Sequence, residues 1–69
     1  DGLDFYRILI QKAPDFLKED GLWAVEVGYN QSRKVENLLK SDGRYKNIDF
    51  LKDLAGYERV VRAQIVKER

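Results

Sequence analysis

Leu22-Trp23-Ala24-Val25-Glu26-Val27-Gly28 is almost continuously apolar, and the fold turns on how it is read. A short unbroken apolar run is how a strand reads when both faces of its sheet are covered, as in parallel α/β sheets. One acid, Glu26, breaks the run. A lone carboxylate in such a strand is costly unless it is paired.

Upstream of this strand the pattern is helical. Asp1 can cap a helix, and Asp4 would lie beside the positive end of its dipole. Phe5, Ile8 and Leu9, with Tyr6 and Ile10, follow at helical spacing. Pro14 interrupts that spacing and opens a second short turn carrying Phe16 and Leu17, since proline suits the first helical position. Gly21 closes the region.

Downstream, Asn30 or Ser32 can cap a second helix whose buried stripe is Val35, Leu38 and Leu39. Glu36 and Lys40 form an exposed (i, i+4) ion pair on it. Ser41-Asp42-Gly43 supplies the stop, with Gly43 suited to a left-handed cap. Ile48 and Phe50 alternate with polar residues, which predicts a second strand from about Lys46 to Lys52. A loop around Gly56 follows. Val60, Val61, Ala63, Ile65 and Val66 form a third strand in which Arg62 and Gln64 face away from Val61, Ala63 and Ile65. The order is helix, strand, helix, strand, strand. The first two strands form a right-handed crossover through the second helix, and the short loop makes the third antiparallel to the second. Three strands offer too little cover for a comfortable domain alone.

Composition narrows the function. The 69 residues allow one small domain at most, and 43% hydrophobic content with three Phe, four Tyr and one Trp argues for a folded segment. Thirteen basic and 12 acidic residues leave a net charge of +1, without the clustered basic face that nucleic acid calls for. No cysteine is present, which removes disulfides and thiolate chemistry and fits an intracellular origin. No histidine is present either, which removes the commonest general base and metal ligand, so no metal site is expected. No apolar run approaches the roughly 20 residues of a membrane span. The chain contains no methionine and opens on Asp1. A translation product starts with methionine, so the expectation is a tail of a larger protein.

Three pieces carry a family resemblance: Asp1-Gly2-Leu3-Asp4-Phe5-Tyr6-Arg7, Val25-Glu26-Val27-Gly28-Tyr29-Asn30-Gln31, and Lys52-Asp53-Leu54-Ala55-Gly56-Tyr57-Glu58-Arg59-Val60-Val61. In this order and spacing they resemble the C-terminal portion of the HemK/PrmC family, the release-factor glutamine methyltransferases. The resemblance implies an α/β, class I (Rossmann-like) methyltransferase sheet, with residues 1–69 as the C-terminal part of one catalytic domain whose N-terminal cofactor-binding half is absent. The three strands would be the fifth, sixth and seventh of that sheet, the last lying between the other two. The family transfers a methyl group from S-adenosylmethionine to the glutamine side-chain amide in the Gly-Gly-Gln motif of peptide-chain release factors. The resemblance thus implies a cytoplasmic N-methyltransferase with S-adenosylmethionine as cofactor and a release factor as partner. The family's glycine-rich cofactor loop and its Asn-Pro-Pro-Tyr motif cannot be read here: the one proline, Pro14, is followed by Asp15, and there is no Gly-x-Gly. No catalytic and no cofactor-binding residue is therefore carried over, and the fragment is expected to be inert.

Ligands of open α/β sheets bind beyond the carboxyl ends of the strands. Gly28 to Gln31 and Asp53 to Arg59 should lie there, making Gly28, Tyr29, Gln31 and Arg59 candidates for the periphery of a substrate pocket. Tyr29 could instead pack on the sheet edge, and Gln31 could sit in the first turn of the helix. Asp53 and Arg59 would pair to pin their loop, or Arg59 would meet the release factor. Gly56 supplies a positive φ. Glu26 is either an acid near the pocket or, as favoured, a buried carboxylate satisfied by a neighbour. Trp23, Phe5, Tyr6, Phe16, Val35, Leu38 and Leu39 read as core. Arg33-Lys34 and Arg44 with Lys46 read as solvated surface. Two other functions stay open: a methyltransferase of nucleic-acid amino groups, and a small non-enzymatic interaction module. In the fragment, the free edge of strand 22–28 is expected to pair with another copy or to aggregate.

Overall fold

The computed structural model describes residues 2–67. Helix α1 runs Asp4–Lys12, a 3-10 turn follows at Ala13–Asp15, and then come strand β1 (Leu22–Glu26), helix α2 (Ser32–Asp42), strand β2 (Tyr45–Lys52) and strand β3 (Glu58–Ile65). The expected cap at Asp1 lies outside the described residues.

The sheet order is β1-β3-β2, and β3 is antiparallel to both neighbours. β1 and β2 therefore run parallel to each other with the last strand between them, as the family resemblance implied. The registers set Trp23 opposite Ala63 and Val25 opposite Val61 on one side, and Tyr45 opposite Ile65 and Phe50 opposite Val61 on the other.

The alternation in β3 sorts the two faces. Val61, Ala63 and Ile65 are buried together with Trp23, Val27, Tyr45, Tyr6 and Ile10 of α1, and Val35 and Leu39 of α2. Both helices thus lie on one face of the sheet. The other face carries Leu22, Ala24 and Glu26 of β1 with Val60, Arg62 and Gln64 of β3, and it is uncovered. This corrects the reading of β1 as a strand covered on both faces: its exposure alternates. It is also shorter than the expected 22–28. Glu26 is exposed on the open face opposite Val60, so no charge is buried there.

Helix α1 buries Tyr6 and Ile10 only. Phe5 and Ile8, 65% and 53% exposed, point outward, because neighbouring helical positions stand about 100° apart and α1 meets the core along one stripe. Phe16, placed in the core by its helical spacing, is 83% exposed. The short turn does form, but it spans Ala13–Asp15 with a buried Pro14 as its second residue, and Phe16 and Leu17 lie beyond it.

Helix α2 follows its sequence closely. Val35 and Leu39 are fully buried, so truncating Leu39 to alanine would cost about 2–5 kcal/mol. Leu38 is half-buried, and Glu36 pairs with Lys40 at 3.2 Å. Gly43 ends the helix at φ 84°, its N–H donating to Leu39 O at 3.3 Å. The N-cap is Gln31, where Asn30 or Ser32 was expected; Asn30 adopts φ 70° and Ser32 is already helical.

Arg44 and Lys46 are not merely solvated. Arg44 grips Asp42 through both its Nε (2.8 Å) and Nη2 (2.9 Å) and donates to the carbonyl of Gln11 at 3.0 Å, which ties the end of α1 to the α2–β2 turn. Lys46 pairs with Asp20, bracing the approach to β1.

The two sheet edges differ. β2 has register shifts at Lys46/Asp49 and Leu51/Lys52, with Asn47 at φ 53° and lysines at 46 and 52. Bulges and charges of this kind discourage further pairing. β1 has a continuous register and no lysine or proline.

Candidate functional site

Because β1 and β2 are parallel, the segments that leave their carboxyl ends emerge at the same end of the sheet. Backbone bonding locks them there: Val27 N–H donates to Arg59 O at 2.8 Å, and Asp53 N–H to Tyr57 O at 2.9 Å. Between residues 27–33 and the β2–β3 hairpin opens a cleft of about 420 Å³, lined by Tyr29, Ser32, Arg33, Lys52, Tyr57 and Glu58 among others.

Gly28 stands in the loop between β1 and α2. Its N–H donates to Gln31 Oε1 at 2.9 Å, and a Cβ at position 28 would stand 2.8 Å from that same oxygen. The glycine is what lets Gln31 fold back over it. Gln31 Oε1 also accepts from the Tyr6 hydroxyl at 3.3 Å, and that hydroxyl reaches the Glu26 carbonyl at 3.0 Å. The loop after β1 is thus fastened to α1.

Across the cleft, Asp53 organises the hairpin. Its Oδ1 accepts from the backbone N–H groups of Ala55 (2.9 Å) and Tyr57 (3.0 Å), while Oδ2 accepts from Arg59 Nε at 2.9 Å. The Arg59 bond, followed by the Tyr57 N–H, holds the Asp53 carboxyl below the ordinary aspartate range. Gly56 turns at φ 90° with open space around it, so its role is conformational. Tyr29 and Tyr57 meet edge to face at 5.1 Å and close the rim, with Arg59 above the Tyr57 ring at 5.7 Å.

Glu58 is the site residue that reading the sequence missed. It accepts from Ser32 Oγ at 2.6 Å and from Arg33 Nη2 at 3.1 Å. Its carboxylate therefore sits at the first turn of α2, where the helix dipole favours negative charge. Arg33, read as solvated, lies over the Phe50 ring at 4.4 Å. No local signal reveals these partners, because Glu58 is 26 residues from Ser32.

Of the residues singled out, Tyr29 and Gly56 reach the cleft, joined there by Tyr57, which was not singled out; Gly28, Gln31, Asp53 and Arg59 brace its two walls; Glu26 stands on the exposed sheet face. The arrangement can orient a ligand by aromatic contact and hydrogen bonding. Its acids and bases are already committed to one another, apart from Lys52, which makes no ion pair among the described residues. It does not form a cradle for S-adenosylmethionine: the one glycine between a strand and a helix, Gly28, is closed over by Gln31.

The strand order, with a last strand inserted antiparallel between two parallel ones, and the two helices define a small α/β segment compatible with the C-terminal part of a methyltransferase. The relatives name the family. The chain is 41% identical over 64 residues to a release factor glutamine methyltransferase of Synechocystis, covering 93% of this chain and 21% of the relative. It is 42% identical over 59 residues to that of Moorella thermoacetica, covering 86% and 21%. It is 39% identical over 67 residues to that of Neisseria gonorrhoeae, covering 97% and 24%. The chain is therefore homologous along nearly its whole length to part of the HemK/PrmC release-factor glutamine methyltransferases, spanning about a fifth of the length of these relatives. No protein-family model matches the chain, and no solved structure does.

Proposed function

We propose that the chain is the C-terminal part of a methyltransferase catalytic domain that moves a methyl group from S-adenosylmethionine to the glutamine side-chain amide of the Gly-Gly-Gln motif in peptide-chain release factors. The observation that carries this reading is the match along 93% of the chain to relatives bearing that name. The β1-β3-β2 order agrees with the end of such a sheet. A cytoplasmic place in translation termination goes with the same reading. Among the described residues no helix is long and apolar enough to cross a membrane.

An amide nitrogen is a poor nucleophile because its lone pair is delocalised. The enzyme must hold it by hydrogen bonds and align it with the methyl group, which is catalysis by orientation. The residues here contribute walls to that task. Gly28, Gln31 and Tyr29 shape one side of the cleft, and Asp53, Gly56, Tyr57 and Arg59 the other. The donors to the amide and the cofactor contacts belong to the remainder of the longer protein. By itself the chain is inert.

The test is methyl transfer by the full-length protein. Labelled S-adenosylmethionine should mark a release factor at the glutamine of Gly-Gly-Gln and leave a Gln→Ala factor unmarked. The coding region upstream of Asp1 should encode a glycine-rich loop and then Asn-Pro-Pro-Tyr. Label entering nucleic acid and not the release factor would replace this substrate assignment. The isolated chain should give no heat on titration with S-adenosylmethionine.

A further inference from the structure

Gln31 occupies the N-cap of α2 but gives the helix no side-chain hydrogen bond. Residues at this position ordinarily spend their side chain on the free N–H groups of the first turn. Here the amide turns back into the loop. Gly28 and Gln31 bond twice: Gly28 N–H donates to Gln31 Oε1 at 2.9 Å, and Gln31 N–H to Gly28 O at 3.1 Å. Two glycines make room for the amide. A Cβ at position 28 would stand 2.8 Å from Oε1, and one at position 2 would stand 3.3 Å from Nε2. Gly28 holds no left-handed conformation, so the demand on it is space and not torsional freedom. The Tyr6 hydroxyl closes the third side at 3.3 Å. The two residues enclosed by this clasp, Tyr29 and Asn30, both line the cleft, and Asn30 holds a left-handed φ of 70°.

We propose that Gln31 is a positioning residue for the methyl-accepting side of the reaction: its amide fixes the loop 28–31 and, through that loop, the place of Tyr29 in the cleft. The proposal rests on the protein-methyltransferase reading above. Every contact of the clasp lies within residues 2–31, so it forms without the remainder of the longer protein. Tyr29 in turn meets Tyr57 edge to face at 5.1 Å, which carries the position of the loop across to the hairpin wall. The cleft lies beyond the carboxyl ends of β1 and β2, where sheets of this kind take their ligands. The clasp serves the acceptor and not the cofactor, because Gln31 fills the space over Gly28 that a closely approaching ligand would take.

The experiment is a double-mutant cycle in the full-length enzyme, Gln31→Ala against Gly28→Ala, with an intact release factor as substrate. Gln31→Ala should raise KM for the release factor about tenfold, the cost of re-ordering the loop at each binding event, with the Kd for S-adenosylmethionine unchanged. Gly28→Ala should do the same, because its Cβ displaces the amide, and should add nothing once residue 31 is alanine. Gln31→Glu keeps the oxygen that accepts from Gly28 N–H and should restore most of the loss. An unmoved KM in Gln31→Ala overturns the proposal, as do two losses that simply add. A parallel loss of cofactor binding overturns it as well, since the residue would then be structural. If Gln31→Ala does not fold, the contrast is read between Gly28→Ala and Gln31→Glu: KM raised in the first alone is expected, and equal values overturn the proposal. A wild-type enzyme that leaves the release factor unmethylated overturns the functional reading itself, and the positioning role with it.

Discussion

The hydroxyl of Tyr45, the first residue of β2, donates a 2.6 Å hydrogen bond to the backbone carbonyl of Ile10 in α1. The two residues are 35 apart in the chain, and the tyrosine ring lies edge to face with Trp23 at 5.8 Å. This bond joins the helix layer to the far strand of the sheet. Burial, reinforced by the Asp42 carboxylate, pushes the Tyr45 phenol up to about 12. The folded state thus holds the proton more tightly than the unfolded chain. The resulting stability is fully present below about pH 10, the ordinary tyrosine value, and is lost as pH rises from there towards 12. Tyr45→Phe should remove that alkaline loss and, by orphaning the Ile10 carbonyl, lower stability at neutral pH by about 1–3 kcal/mol. Urea unfolding of both chains at neutral and alkaline pH measures the two effects together.

Gly43→Ala isolates a backbone cost. The residue holds φ 84°, and a Cβ there would meet nothing within 4 Å. Packing is therefore untouched, and the loss should be about 1 kcal/mol from left-handed strain alone. A chemical-denaturation midpoint that does not move would show that the end of α2 relaxes out of this conformation.

The Asp53 carboxyl should titrate below the ordinary aspartate value, seen directly in carboxyl carbon shifts against pH. Its contribution is present above the unfolded value and disappears as pH falls through the depressed one, so the hairpin should loosen in acid before the core does. Arg59→Gln should move the Asp53 midpoint up, because the guanidinium is the leading cause of the shift. An unmoved midpoint would assign the shift to the Tyr57 and Ala55 N–H groups.

The isolated chain should self-associate through β1. This edge has no bulge, lysine or proline, and Leu22 beside it is 62% exposed. Ala24→Lys places a charge on the exposed face of the strand and should shift the sedimentation coefficient towards the monomer at micromolar concentration. Equal behaviour of both chains would locate any association elsewhere, with Phe5, Ile8 and Phe16 as the next candidates.

Much of this structure was legible because it is set by neighbours in the chain. The α2 stripe of Val35 and Leu39, the left-handed stop at Gly43, the turn at Gly56 and the alternation of Val61, Ala63 and Ile65 each depend on side chains within a turn or two. The short loop gave the antiparallel direction of the last strand, and its insertion between the other two followed from the family resemblance. The cleft was legible only in outline: Gly28, Tyr29 and the 53–59 loop were placed at the right end of the sheet, while Glu58 was not singled out.

By itself the amino-acid sequence determined the element order, the left-handed stop at Gly43 and the turn at Gly56, the inward face of β3 and the family. Only the tertiary structure decided which apolar residues are covered. β1 reads as a strand covered on both faces, yet within this chain both helices pack on one side, leaving Glu26 and Leu22 exposed. Phe5 and Phe16 stand exposed for the same reason. Periodicity and turn chemistry act over a few bonds and are written locally. Burial, and the meeting of Ser32 with Glu58 or Ile10 with Tyr45, depends on what else occupies the space around a residue, and distant parts of the chain settle that.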